Sequence, residues 1–110
     1  TFERKGLTFG VYHGTGITPR GDHETLSKIA EQDLKADVLI HGHSHQEDMA
    51  REDDVILLNP GSCTGVGGGT ARPGNPTMME IEVEEGELKA RILEMDDGEL
   101  EVKESQIFEY

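Results

Sequence analysis

Apolar and polar positions recur with two different periods along the chain. From Leu7 to Tyr12, β-favouring residues including Phe9 and Val11 run toward Gly14 and Gly16. This predicts a strand that ends in a loop carrying His13. "TPRGD" continues the loop. Asp22, His23 and Glu24 then open a segment in which Leu26, Ile29, Ala30 and Leu34 recur at helical spacing, while Lys28, Glu31 and Lys35 fall elsewhere on the wheel. The pattern is an amphipathic helix with one buried face and acids in its first turn, where the helix dipole favours them.

Asp37 to Ile40 and Val55 to Leu58 read as short buried strands, and "QEDMAREDD" as the polar connection between them. Asn59 to Pro76 is a long glycine-rich loop with three prolines. The last third has period two. Met79, Ile81 and Val83 alternate with Glu80, Glu82 and Glu84; after "EEGE", Leu88, Ala90 and Ile92 alternate with Lys89 and Arg91. This is an antiparallel hairpin with one wet face, acids on one strand opposite bases on the other. "DDG" marks another turn, "ELEVK" a short final strand, and Glu104 to Tyr110 a tail that docks or frays.

At 110 residues, the chain suits one small domain or part of a larger one. Asp and Glu outnumber Lys and Arg 23 to 10, a formal charge of -13. That surface repels nucleic-acid phosphates and anionic lipid, so neither is expected as a partner; it also fits a protein adapted to high salt. Cys63 is the only cysteine. It reads as a small buried residue with no assigned base, and the absence of any intramolecular disulfide leads to an expected cytoplasmic location. No apolar run has transmembrane length. The chain starts at Thr1, which reads as a fragment or as the loss of a leading residue.

Three of the five histidines lie within "VLIHGHSHQ", at His41, His43 and His45. In an extended segment all three point to one side, and Gly42 and Ser44 permit a tight bend after the strand. Imidazoles converging from one short loop suit Zn, Mn, Fe, Ni or Co. His13, at another strand end, reaches the same edge if the two strands are neighbours, and ligand sites of open α/β sheets lie at such edges. His41 sits either on the outer face of the strand end or behind the ligands as support. His23 reads as an exposed residue of the helix first turn.

"GHSH" resembles the Gly-His-x-His motif of the calcineurin-like metallophosphoesterase superfamily. "VYHGTG" resembles that superfamily's strand end with a single histidine. "LLNPGSC" is similar to the Asn-Pro-Gly segment of its small YfcE-type phosphodiesterases. The motifs occur in family order from about Leu7 to Met95. The resemblance implies an α/β fold, the C-terminal half of a two-sheet αββα sandwich ending in antiparallel hairpin strands. Residues 1–96 would belong to that domain and 97–110 would form a short C-terminal strand or tail. It further implies that His13 and His43 bind one divalent metal and His45 a second, with His41 and Asn59 in supporting or rim positions. A hydroxide bridging the two metals would attack a phosphodiester, a small-molecule substrate, with no protein nucleophile. The metals stay open among Mn, Ni, Zn, Fe and Mg.

The family's carboxylate ligands come from Asp-x-His, Gly-Asp and Gly-Asn-His motifs. Asp-x-His and Gly-Asn-His are absent here, and Gly21-Asp22 follows His13, out of family order. His13-Gly14-Thr15 stands where many relatives have His-Gly-His. The chain therefore reads as a C-terminal half, truncated or completed by a partner. Alone it is expected to bind metal weakly, to hydrolyse little or nothing, and to self-associate through exposed sheet surface. The competing reading is a non-catalytic protein-binding scaffold, as in the retromer scaffold subunit, which is similar in fold. A third is a small metal-binding module drawing on Glu47 or Asp48. "GSCTGVGGGTARPGNP" lacks the Gly-Lys-Ser/Thr ending of a phosphate-binding loop and reads as a substrate loop. Arg20 and Arg72 are loop cations that face phosphate or solvent.

Overall fold

The computed structural model describes residues 1–65 and 74–110. Its centre is a parallel trio of apolar strands. Strand β2 (Leu7–Tyr12) lies parallel to β3 (Val38–His41), which lies parallel to β5 (Val55–Asn59). Antiparallel strands flank the trio: β1 (Phe2–Arg4) on β2 and β4 (Asp48–Glu52) on β5, giving the order β1-β2-β3-β5-β4. The turn joining β1 to β2 is Lys5-Gly6, both with positive φ (51° and 82°), the conformation that two-residue hairpins favour.

Strand β4 corrects the reading of "QEDMAREDD" as a mere connection. Within it only Met49 is buried, so charge on an edge strand masked its period. The helix begins as predicted: Asp22 caps α1 (His23–Lys28) by accepting from the Thr25 N–H at 3.1 Å and the Thr25 hydroxyl at 2.7 Å. It continues as a π-helical segment, Ile29–Leu34, and stops at Lys35, which is left-handed with φ 53°. Gly10 makes this end possible. A Cβ there would lie 3.0 Å from Leu34 Cδ1 and 3.2 Å from the Ala36 Cβ.

The second sheet is antiparallel: β6 (Thr77–Glu84), β7 (Glu87–Asp96) and β8 (Glu99–Glu109), in that order. The expected acid–base pairs form across β6 and β7, with Arg91 Nη1 at 2.6 Å from Glu80 and 2.9 Å from Glu82. Strand β8 corrects the expectation of a short strand with a docking or fraying tail. It pairs with β7 from Glu99 to Glu109, and the Tyr110 hydroxyl lies within hydrogen-bond distance of the Lys5 and Glu84 carbonyls, at 2.8 and 2.6 Å. Only Phe108 of β8 is buried, so no apolar alternation carried the expected strand beyond Lys103. Residue 97, where the sequence placed the start of a tail, is the first residue of the β7–β8 turn.

Leu7, Phe9, Val38, Ile56 and Leu58 pack against Leu88, Ala90, Ile92 and Phe108 between the sheets. Leu39, Val55 and Leu57 pack on Leu26 and Ala30 of the helical layer. The mixed sheet is thus covered on both faces, which is why β3 and β5 read as continuous apolar runs. Among the described residues no helix is long and apolar enough to cross a membrane.

Candidate metal centre

The parallel pairing of β2 with β3 sets Tyr12 opposite His41, so both strands end at the same edge of the sheet. The loops that follow are fastened together. The Gly42 N–H donates to the His13 carbonyl at 3.2 Å. Gly14, at φ 99°, sits where a Cβ would be 3.0 Å from the Gly42 carbonyl oxygen and 3.4 Å from the His43 Cβ. A side chain at position 14 would hold the two loops apart.

The close approach brings two imidazoles together. His13 Nε2 lies 3.1 Å from His43 Nδ1, and the rings meet edge-on with centroids 4.9 Å apart and an interplanar angle of 66°. His43 stands at φ 70° and His45 at φ 61°, both in the left-handed region. The Ser44 N–H donates back to the Gly42 carbonyl at 2.8 Å, closing a γ-turn across His43. The extended-segment geometry expected for the three histidines is therefore wrong: the strand ends at His41, and a curled loop carries the other two.

The three histidines have three environments. His43 remains at the upper edge beside His13. Its basicity is lowered, first by partial desolvation and then by charge repulsion from Arg20, His13 and His45. A neutral imidazole is the form that ligates metals. His45 lines a cavity of about 550 Å³ together with Ser62, Thr77, Glu94 and Lys103. His41 turns inward and is 4% exposed, on the helical side of the sheet with Leu39. Neither of its ring nitrogens has a hydrogen-bond partner. Burial pushes its pKa down to about 4, His23 adding to the shift and Asp48 opposing it. This burial does not match the reading of His41 as an outer-face residue.

Asn59, read as a rim or supporting residue, is 1% exposed and lies beneath the loop. Its Nδ2 donates to Ser44 Oγ at 3.0 Å and its Oδ1 accepts the Gly61 N–H at 2.9 Å. One side chain thus ties the histidine loop to the turn after β5. A cavity of about 270 Å³ beneath the loop is bordered by Arg20, His41, Ser44, Asp48 and Asn59.

Other candidates are placed elsewhere. His23 Nε2 contacts Asp48 Oδ2, so this histidine ties the helix to β4 and is no free first-turn residue. Glu47 accepts from Lys103 Nζ at 2.5 Å, and that hydrogen bond holds its carboxyl below the usual carboxylate range. Cys63, expected buried, is exposed in a turn. Arg72 and the glycines around it lie outside the described residues.

The separation between the His13 and His43 nitrogens suits two ligands on one ion at roughly 2.0–2.1 Å from each. Among the described residues, no three His, Cys, Asp or Glu side chains converge into a metal-holding group. The donors therefore fit a metal as part of a coordination sphere. Serine 44 and the Asn59–Ser44 contact were not legible as site features, because a serine between two histidines carries no signal until the loop curls.

The model of the calcineurin-like phosphoesterase superfamily domain matches residues 1–86. A probable metallophosphoesterase of Methanothermobacter thermautotrophicus is 37% identical over 92 residues, covering 84% of this chain and 49% of that protein. A phosphodiesterase of Methanocaldococcus jannaschii is 32% identical over 74 residues, covering 67% of this chain and 42% of that protein. Among solved structures, a single-substitution mutant of Vps29 from Entamoeba histolytica superposes with TM-score 0.86 at 30% identity, covering 97% of this chain and 58% of that one. Wild-type Vps29 of the same organism, complexed with zinc, gives TM-score 0.81 at 28% identity over 98% and 58%. The chain spans about half the length of the curated relatives it matches.

Proposed function

The chain belongs to the calcineurin-like phosphoesterase superfamily, and from that premise we propose that it supplies the histidine side of a phosphodiesterase centre containing two divalent metals. The observation that carries this reading is the 3.1 Å approach of His13 Nε2 to His43 Nδ1 at the strand ends. His13 and His43 would hold one ion and His45 would contribute to the other. When bound, such ions supply Lewis-acid stabilisation of charge on phosphoryl oxygens and lower the pKa of water. The chain's own residues do the positioning. Gly14 lets the loops close, Asn59 and Ser44 hold the histidine loop in its curl, and the Arg20 cation beside His43 adds positive charge for a phosphate. The substrate class is a small phosphodiester. The carboxylate ligands would come from a part of the fold that these 110 residues do not carry.

The relative named a phosphodiesterase and the zinc complex of a structural neighbour support this reading. Titration of the chain with Zn²⁺ and Mn²⁺, followed by assay with bis(p-nitrophenyl) phosphate, tests it. We expect weak metal binding that requires His13 and His43, and little or no turnover. Metal binding indifferent to both histidines would remove the proposal. The likeness to Vps29 favours a second reading, a protein-binding scaffold with no catalysis. That reading gains if binding is absent even after the missing part of the fold is restored.

A further inference from the structure

The pairing of β8 with β7 slips by one residue. Ile92 stands opposite Glu104 and Leu93 opposite Val102, so Lys103 has no partner on β7. An extra residue of this kind is a β-bulge, and a bulge re-aims the side chain it carries. The Lys103 side chain crosses to the loop before β4. Its Nζ lies 2.5 Å from Glu47 Oε1 and 3.3 Å from Glu94 Oε2. Glu47 follows His45 by two residues, and all four side chains border the cavity of about 550 Å³ beside the candidate metal centre. An ammonium has three N–H donors and no acceptor. Two of them meet the carboxylates, and the Lys103 side chain is 45% exposed, which leaves the third for a ligand.

The rest of the wall is hydrogen-bonding as well. It includes the Gln46 and Asn75 amides and the Ser62 and Thr77 hydroxyls. Among the described residues it holds no aliphatic side chain and no ring other than that of His45. A nucleobase or an acyl chain has no surface there to stack or pack on. Apart from histidine, the ionised groups of the wall are two carboxylates against one ammonium. That excess of negative charge repels a second anionic group on a ligand. A neutral group with several hydroxyls satisfies such a wall, because each hydroxyl can donate to a carboxylate and accept from an amide or ammonium.

We propose that this cavity receives one alcohol of the phosphodiester, that this alcohol is a neutral polyol such as a cyclitol or sugar, and that Lys103 selects it. The proposal rests on the phosphodiesterase reading, since His45 joins the cavity to the metal centre. Lys103 makes and breaks no bond; it is a specificity residue brought to the site from the far edge of the second sheet.

The test titrates two diesters into the ¹⁵N-labelled chain with Zn²⁺ present. Both alcohols of glycerophosphoinositol are neutral polyols, and both of bis(p-nitrophenyl) phosphate are aromatic. The expected result is binding of glycerophosphoinositol about tenfold tighter, with shifts at the amides of Ser62, Thr77 and Lys103. Lys103→Met should erase the preference and Lys103→Arg should restore part of it. Asn75→Ala, at an exposed position outside the ion pair, should weaken the same binding several-fold. Lys89→Met, on the outer face of β7, should leave it unchanged. No detectable binding of glycerophosphoinositol, equal affinity for both diesters, or a preference that survives Lys103→Met would each overturn the proposal. Competition against a chelator reads Zn²⁺ affinity separately. Indifference of that affinity to His13 and His43 removes the phosphodiesterase reading, whereas a chain that binds Zn²⁺ through them and lacks the polyol preference removes this proposal alone.

Discussion

His13 Nε2 and His43 Nδ1, thirty residues apart in the chain, lie 3.1 Å from each other. Neither histidine alone defines a site; the parallel register of β2 and β3 makes the pair. Replacing either with alanine should reduce Zn²⁺ or Mn²⁺ affinity about tenfold or more, whereas His23→Ala should not. Competition against a chromophoric chelator measures this, and equal effects from all three substitutions would contradict the pairing.

Asn59→Ala should destabilise the chain by about 1–3 kcal/mol, because it leaves the Gly61 N–H and the Ser44 hydroxyl without their buried partner. It should also loosen metal binding while His13 and His43 remain intact. Asn59→Asp keeps the acceptor for Gly61 and should recover part of the stability. Urea unfolding and metal titration of the two variants separate the effects.

His41 predicts an acid limb. The unfolded chain takes up a proton at the ordinary histidine pKa of 6.5, while folded His41 stays neutral down to about 4. Between those values the unfolded state binds more protons, so stability falls as pH drops through the window and is unaffected above it. The loss is of the order of 2–3 kcal/mol. His41→Phe should flatten this limb and leave stability at pH 7.5 equal or higher, since it replaces two unpartnered buried nitrogens with apolar surface. Unfolding curves in chelator at pH 7.5 and 5 check it; an unchanged limb in the variant would place the proton uptake elsewhere.

Gly61→Ala should cost about 1–3 kcal/mol. Gly61 sits at φ 84°, and a Cβ there would fall 2.2 Å from Thr77 Oγ1, which donates to the Pro60 carbonyl at 2.8 Å. Thr77→Ala combined with Gly61→Ala should recover part of the loss by removing the clash. Thermal melts of the single and double variants measure the coupling.

The apolar periods made β2, α1, β3, β5 and the β6–β7 hairpin readable, because each buries a face with its own repeat. Strands β1 and β4 were not, and only the first half of β8 was, because edge strands with one or no buried residue have little period to show. The histidine pairing was readable as soon as β2 and β3 were neighbours. The divergence of His41, His43 and His45 was not, since it depends on left-handed residues at positions 43 and 45 that are not glycine. Asn59 read as a rim or supporting residue on sequence, and only the curled loop revealed what its side chain holds.

Those left-handed histidines set a limit on engineering. L-residues disfavour that conformation and glycine does not, so a screen for thermal stability should enrich glycine at positions 43 and 45. Each such winner would discard an imidazole. Selection for heat resistance and selection for ion capture would therefore pull this loop in opposite directions, and a library scored on melting alone would improve the scaffold while erasing its chemistry.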